Sequence, residues 1–295
     1  MTVGKLNNGC AVALGNFDGM HIGHVRVLEQ TAQLTSQGLT ATVMLFDEHS
    51  LKGVRGEAPP MIMTEEERLS FIKEKGLEVT LVSFSEIRDL SPEAFVDTIL
   101  IARLNAKAVV CGFNYRFGKN ATGDARMLRE ICAVKGIRCV VVDEVETDGT
   151  SVNSTSIRKA IEKGDITAAN KMLGRSFGFS ATVIDGDKRG REWGFPTINQ
   201  KLPEGLIIPR FGVYKSTVKL DGKEYDGVTN IGLRPTVGTD TVRSETHILS
   251  FDGNLYGKDI DVRLISFIRP EKKFDSFDEL ILQIKSDISL VKGGA

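Results

Sequence analysis

Hydrophobic and polar positions follow two different rhythms along this chain. In the first half, short apolar runs alternate with stretches of helical period. Residues 11–14 read as a strand, and the loop after them opens a helical pattern over 21–36 that Gly38 stops. Thr40–Phe46 is β-branched and strand-like. Thr64-Glu65-Glu66-Glu67 has the spacing of a capping box and opens a short helix ending near Gly76. Residues 78–84 predict a third strand. Ser91-Pro92 begins a helix over 93–104, with proline at the first turn, where its missing N–H is not needed. Residues 106–111 predict a fourth strand, 124–134 a helix and 137–142 a fifth strand. Strands and helices alternating in this way imply a parallel sheet wound on both faces.

Near Leu173-Gly174-Arg175 the rhythm changes to strand runs joined by turns. Asp221-Gly222 separates 213–220 from 223–231 and reads as a tight hairpin. Asp252-Gly253-Asn254 separates 246–251 from another strand segment, 260–268. Several short strands at such spacing predict an all-β, barrel-like domain. The chain closes with an amphipathic helix opened by Ser276-Phe277-Asp278-Glu279, its apolar face made of Phe277, Leu280, Ile281, Ile284 and Ile288. The fold class expected is therefore α/β plus β, with domains at 1–173 and 174–295. A length of 295 residues suits two domains.

Composition narrows the function classes. The chain is 41% apolar and 26% charged, as in an ordinary globular protein, and its formal net charge is −1. That balance gives no support to a nucleic-acid or anionic-membrane partner. Cys10, Cys111, Cys132 and Cys139 form no CxxC pair and no metal spacing. Cys111 and Cys139 lie in apolar runs and read as core thiols, which fits a reducing cytoplasm. The first residues lack the apolar core of a signal peptide, and no apolar run approaches the ~18–20 residues of a membrane span.

Candidate chemistry concentrates in the stretch GNFDGMHIGH, from Gly15 to His24. His21 and His24 sit where a strand turns into a helix, and their spacing puts both imidazoles on one helical face. The helix start adds unpaired N–H groups and a positive dipole end, so backbone and rings together suit a phosphate. Gly23, without a Cβ, allows close approach to the backbone. A helix start with two exposed histidines is the plain alternative. The order strand, turn, helix weighs against it, and the stretch resembles the HxGH signature of the nucleotidyltransferase superfamily. In a 3-2-1-4-5 sheet the loop after the fourth strand, Gly112 to Lys119 with Asn114, meets this stretch at the switch point. Ser154, Thr155 and Arg158 open a further helix with hydroxyls and a cation. Alone, that pattern reads more simply as a cap with a solvated arginine.

The β half carries a second constellation. Gly186-Asp187-Lys188-Arg189-Gly190-Arg191 packs three cations between glycines, which suits a loop over phosphates and fits a solvated basic turn nearly as well. Pro196-Thr197-Ile198-Asn199 presents a hydroxyl and an amide oxygen two residues apart, on one side of an extended segment. Both oxygens suit one Mg²⁺ whose other ligands are water and phosphate. A structural turn is the alternative.

Taken in order, GxFDGxHxGH, GxNxRFG, the Ser154–Asp165 segment, GxxxGFPTxN, NIGxRPT, LYG and IRxExKF resemble the prokaryotic bifunctional riboflavin kinase/FMN adenylyltransferase family, from about Ala11 to Asp287. The resemblance implies a cytoplasmic enzyme that uses ATP and Mg²⁺, with riboflavin, FMN and FAD as substrates and products. The first domain would transfer AMP to FMN. There His21 and His24 hold the ATP phosphates and the transition state. Gly15, Phe17, Asp18, Gly23, Asn114, Ser154, Thr155 and Arg158 match its ATP- and phosphate-binding positions. The second domain would phosphorylate riboflavin. Thr197 and Asn199 match the Mg²⁺ and nucleotide ligands, Gly186, Lys188 and Arg191 the loop over the ATP phosphates, and Glu245 the general base. Without the resemblance Glu245 reads as a surface strand carboxylate. The resemblance also suggests that Arg269 and the closing helix shape the flavin side.

Two departures fall in the first half. Phe46-Asp47-Glu48-His49-Ser50 replaces the family's FxPHP, and Asn153 stands where a serine is usual. They leave two other functions to weigh: a riboflavin kinase with weakened or absent adenylyl transfer, and a flavin- or nucleotide-binding regulator without turnover.

Overall fold

Burial on both faces decides the first half of the chain. The computed structural model describes residues 9–46, 58–186, 190, 193–236 and 239–293. In order come β1 (Cys10–Leu14), α1 (Ile22–Gln33), β2 (Thr40–Phe46), α2 (Glu65–Glu74), β3 (Glu78–Val82), α3 (Phe84–Ile87) and α4 (Pro92–Phe95). Then follow β4 (Ala106–Gly112), β5 (Arg116–Phe117), β6 (Gly123–Asp124), α5 (Ala125–Val134), β7 (Arg138–Val142), β8 (Glu146–Thr147) and β9 (Thr150–Ser151). The main sheet is parallel, in the order β3-β2-β1-β4-β7, which is the 3-2-1-4-5 arrangement of its five principal strands. β1 is central and buried along its whole length, as the apolar run demands. α1 packs against β1, β2 and β4. Asp124 caps α5 by accepting the Met127 N–H at 2.8 Å, and this bond holds its carboxyl below the usual range. All four cysteines are free thiols; Cys111 is buried and Cys139 half-buried.

Two elements of the parallel-sheet half differ from the sequence pattern. The third strand stops at Val82, and Phe84 enters a helical turn that sets its ring edge-on to Phe46, with centroids 5.4 Å apart. The helix expected over 93–104 is one α-turn, capped by Ser91 Oγ on the Ala94 N–H, followed by a π-helix over Val96–Arg103. Its wider winding ends with the Leu104 N–H donating to Ile99 O at 3.0 Å, and places Val96, Ile99 and Leu100 in the core. A run this short cannot tell the π period from the α period.

The chain packs as two compact units, Met1–Pro59 with Glu65–Asn153, and Pro60–Thr64 with Ser154–Ala295. The second contains α6 (Ser154–Lys163), α7 (Ile166–Leu173), β10 (Phe177–Ile184), β11 (Ile198–Lys201), β12 (Gly212–Leu220), β13 (Lys223–Thr236), β14 (Thr239–Ile248), β15 (Asp259–Arg269) and α8 (Phe277–Lys292). α7 was not apparent in the pattern; Asp165 caps it on the Ala168 N–H, and Gly174 ends it at φ 70°. Its Asn170 donates to Leu264 O at 2.9 Å and accepts the Phe177 N–H at 2.7 Å, so α7 is fastened to β15 and β10.

The six strands close an antiparallel barrel in the order β10-β11-β14-β13-β12-β15. The Asp221-Gly222 hairpin has φ of 47° and 80° at its two residues, the left-handed values a primed turn needs. Inward positions are partly polar. Ser216, Thr229 and Thr246 form a hydroxyl chain across three strands, with steps of 2.7 and 2.8 Å. The strand expected over 246–251 ends at Ile248, where the Leu249 N–H donates to Asp226 O and Ser250 turns at φ 57°.

The closing helix turns most of its predicted face inward, with Leu280, Ile281, Ile284 and Ile288 half-buried. Phe277 is half exposed, and the buried residues of α8 are Asp287 and Val291. Arg269 explains the buried acid. Its Nε lies 3.1 Å from both Asp287 oxygens and its Nη2 2.8 Å from Oδ2, while Gln283 donates to Oδ1 at 2.9 Å. This paired charge ties the end of β15 to α8. Asp287→Ala leaves the guanidinium uncompensated, and should destabilise the barrel unit by about 3–5 kcal/mol in denaturant unfolding. A cost below about 1 kcal/mol would mean that the pair does not hold α8.

Candidate active sites

In the N-terminal unit, register builds the first site. Leu14 of β1 lies beside Cys111 of β4, so the loops starting at Gly15 and Gly112 leave the same edge of the sheet, at the carboxyl ends of the strands. The turn after β1 is tightly wound: Phe17, Gly19 and Met20 have φ of 50°, 77° and 40°. Two of these are not glycine, and burial pins both, since Phe17 and Met20 are fully inaccessible. A Cβ on Gly15 would stand 3.3 Å from the Phe17 ring. Asp18 is also buried.

His21 is not in the helix; it is the N-cap of α1, with extended backbone. Its Nδ1 accepts the His24 N–H at 3.2 Å. Capping, rather than helical spacing, brings the two imidazoles together, stacked with centroids 3.6 Å apart and planes 19° apart. Phe17 tilts against His24 at 5.2 Å. Gly23 is constrained from within: a Cβ there would lie 3.2 Å from Cε1 and Nδ1 of the His21 ring. With Nδ1 of His21 accepting the cap hydrogen bond, Nε2 is the nitrogen that carries the ring N–H. Asn114 is exposed just beyond β4, in a turn fixed by Tyr115 N–H to Gly112 O at 3.1 Å. Sequence reasoning missed Arg68 of α2, whose Nη1 donates to Asn16 O at 3.4 Å and so braces the turn before the histidines. A lone arginine on a short polar helix carries no signal of that contact. Asn153 turns its amide onto Ser151 O at 3.2 Å. Residues Asp47 to Ser50 lie outside the described residues.

In the second unit, Ser154 and Thr155 open α6, and Arg158 Nε donates to Pro60 O at 2.8 Å. The barrel holds the other constellation. Gly186, Gly190, Thr197, Asn199 and Thr246 line a cavity of about 230 Å³, together with residues of the turn from Phe251 to Tyr256. A Cβ on Gly186 would collide with the Asn199 amide, and one on Gly190 would come within 2.6 Å of Phe195 O. Gly186 and Gly190 therefore lie against the PTxN segment where a side chain would not fit. Lys188 and Arg191 lie outside the described residues.

Glu245 does not line that cavity, but it is the direct cross-strand partner of Asn199, and Asn230 flanks it on the other side. Its neighbours Ser244 and Thr246 are buried in the barrel, so alternation turns Glu245 outward. Arg234 forms an ion pair with its Oε1. Asn230 donates to Glu271 Oε1 at 3.2 Å, and a Cβ at Gly232 would collide with that second carboxylate. His247, two residues beyond Glu245 and on the same face, was also missed. Its Nδ1 lies 2.8 Å from Pro196 O and its ring meets Phe195 edge-on, which fastens the PTxN segment to β14. Period-two spacing from Glu245 is the signal that marks it. No group of three or more His, Cys, Asp or Glu side chains suited to a metal ion occurs among the described residues.

Comparison with known proteins covers both units. The FAD synthetase family profile matches residues 4–156, and the riboflavin kinase profile matches residues 173–293. A bifunctional riboflavin kinase/FMN adenylyltransferase of Listeria monocytogenes is 36% identical, across 94% of this chain and 89% of its own length. The Escherichia coli K12 protein of that description is 34% identical, across 95% and 90%. A crystal structure described as a macrolide-efflux protein from Streptococcus pneumoniae superposes with a TM-score of 0.89 at 30% identity, covering 98% of this chain and 95% of that one. Among the described residues, no helix is long and apolar enough to cross a membrane.

The cap at α1 is open to a direct check. Gly23→Ala should shift the His21 and His24 ring signals in NMR spectra and leave those of His247 in place. Unchanged His21 and His24 signals would mean that the stack does not depend on the missing Cβ.

Proposed function

This chain belongs to the bifunctional riboflavin kinase/FMN adenylyltransferase family, and we propose how its residues divide the two reactions. The protein phosphorylates riboflavin to FMN, then transfers AMP from ATP to FMN, giving FAD and pyrophosphate. We assign adenylyl transfer to residues 1–173 and the kinase to 174–295.

In adenylyl transfer the FMN phosphate attacks the α-phosphorus and pyrophosphate leaves, so the protein supplies position and positive potential rather than a nucleophile. The stacked His21 and His24 at the N-terminus of α1 support that role. The cap fixes the His21 ring with its N–H on Nε2, a donor suited to a phosphate oxygen, and the helix end favours the developing negative charge. Gly15, Phe17, Asp18, Gly23 and Asn114 shape the same edge of the sheet. Ser154, Thr155 and Arg158 are assigned to ATP phosphates on the motif alone.

The kinase reading is carried by one observation: Asn199 and Glu245 are cross-strand partners. A carboxylate therefore stands beside the PTxN segment. Glu245 takes the proton from the riboflavin 5′-hydroxyl as that oxygen bonds to the γ-phosphorus and ADP departs. The donor set fits Mg²⁺, because Thr197 and Asn199 offer neutral hard oxygens in a cavity that Gly186 and Gly190 also line. When bound, the ion neutralises phosphate charge. Gly186, Lys188 and Arg191 belong to the loop over those phosphates. The free cysteines support a reducing, cytoplasmic setting, and the net charge of −1 gives no support to a nucleic-acid partner.

One incubation with riboflavin, ATP and Mg²⁺, resolved by chromatography over time, tests the assignment. FMN should appear first and FAD after it. His24→Ala should cut FAD formation from FMN by about 100-fold or more while sparing FMN formation. Glu245→Gln should do the reverse, losing kinase turnover by about 100-fold or more and keeping flavin binding. FMN alone from the unaltered protein would assign it the kinase only. Flavin bound without turnover would make it a regulator.

A further inference from the structure

Glu245 is not left to find its own orientation. Nε of Arg234 donates to Oε1 of Glu245 at 2.8 Å, and Nη2 of the same guanidinium donates to the same oxygen. Among the described residues Oε2 receives no hydrogen bond. Both partners sit on the outward side of neighbouring strands, β13 and β14. The direct partner of Glu245 is Asn230, and the direct partner of Arg234 is Thr241. Arg234 therefore reaches Glu245 along the strand, past Gly232. A side chain at Gly232 would stand on the outward face between Asn230 and Arg234, where the Glu271 carboxylate already lies, and only glycine leaves that carboxylate its place. The Glu245 side chain is 24% exposed and that of Arg234 47%, so the acid is the more sheltered of the two.

A general base needs one oxygen aimed at the proton it will take, with the rest of the group held still. A carboxylate on a strand turns freely about its last bond and presents either oxygen. The guanidinium removes that freedom by occupying one oxygen with two donors. We infer that Arg234 is a positioning residue for the kinase: it grips Oε1 of Glu245 so that Oε2 faces the hydroxyl to be phosphorylated. This inference rests on Glu245 being the base. In the step, the hydroxyl proton passes to Oε2 and the hydroxyl oxygen bonds to the γ-phosphorus. The bond from that phosphorus to the β–γ bridging oxygen breaks, and ADP leaves with the electron pair. Arg234 keeps its protons throughout. Its family motif, NIGxRPT, was visible in the sequence, but no chemistry attached to the arginine there.

Arg234→Ala and Arg234→Lys, compared with the unaltered full-length protein, give the test. Arg234→Ala should lower kcat for riboflavin phosphorylation by about 10–100-fold, with KM for riboflavin and for ATP changing by less than about threefold. Arg234→Lys keeps the charge but loses the two-nitrogen grip, and should fall between the two. Free guanidinium ion at millimolar concentration should restore part of the Arg234→Ala rate, whereas equal sodium chloride should not. FAD formation from FMN by the same samples should be unchanged, and the retained KM for riboflavin and ATP checks that the barrel of each variant is folded. A kcat for Arg234→Ala within twofold of the original, a higher kcat, or a loss confined to KM would overturn the inference. Glu245→Gln run alongside separates the two readings. If it keeps kinase turnover, the base assignment itself is wrong. If it is inactive while Arg234→Ala is not, only the role of Arg234 falls.

Discussion

Both sites depend on hydrogen-bond register between neighbouring strands. A strand cannot slip by one residue without sending every side chain to the opposite face. In the parallel sheet, Leu14 beside Cys111 makes the chain leave β1 and β4 at one edge. In the barrel, the pairing of Asn199 with Glu245 and of Glu245 with Asn230 lines three polar side chains across three strands. The same register puts Thr246 and Thr229 inside, where their hydroxyls bond to each other. The buried hydroxyl chain and the outward row are thus two consequences of one pairing. Shifting it would bury Glu245 and expose the threonines, at the cost of an unpaired charge in the barrel.

Around that frame, polar side chains do most of the fastening near the sites. His21 caps α1 with the nitrogen a free histidine would offer to solvent. His247 holds the PTxN segment to β14 through Pro196 O. Arg269 and Asp287 tie α8 to β15 with a buried pair whose hydrogen bonds are shared with Gln283. Each of these groups removes motion from a segment that carries chemistry, and each spends a hydrogen bond on the protein instead of on a ligand. Strain is kept close by: Phe17 and Met20 hold left-handed backbone in the turn that leads to His21, and their complete burial prevents its relaxation.

Much of this was readable from the chain. The apolar runs and their punctuation marked the alternating strands and helices, the hairpin at Asp221-Gly222, the barrel and the closing helix, because burial pattern and turn chemistry are local properties. The motifs gave the family. The readings that changed did so for physical reasons. A π-helix over Val96–Arg103 has no distinct signature over so few residues. Phe84 left the strand to reach Phe46, a contact between residues far apart in the chain. Asp287 interrupts the apolar face of α8 because its partner, Arg269, lies on another element.

The sequence by itself determined which segments become strands and helices, which residue types gather at each loop, and which family the motifs resemble. Those follow from side-chain period, backbone preference and short-range capping. Only the tertiary structure decided that His21 caps the helix rather than joining it. It also decided that Gly23 makes room for an imidazole and that Arg234 grips one oxygen of Glu245. The first two depend on the direction of the His21 side chain within a turn of a few residues, and the third on the pairing of β13 with β14. Residue type by itself fixes neither.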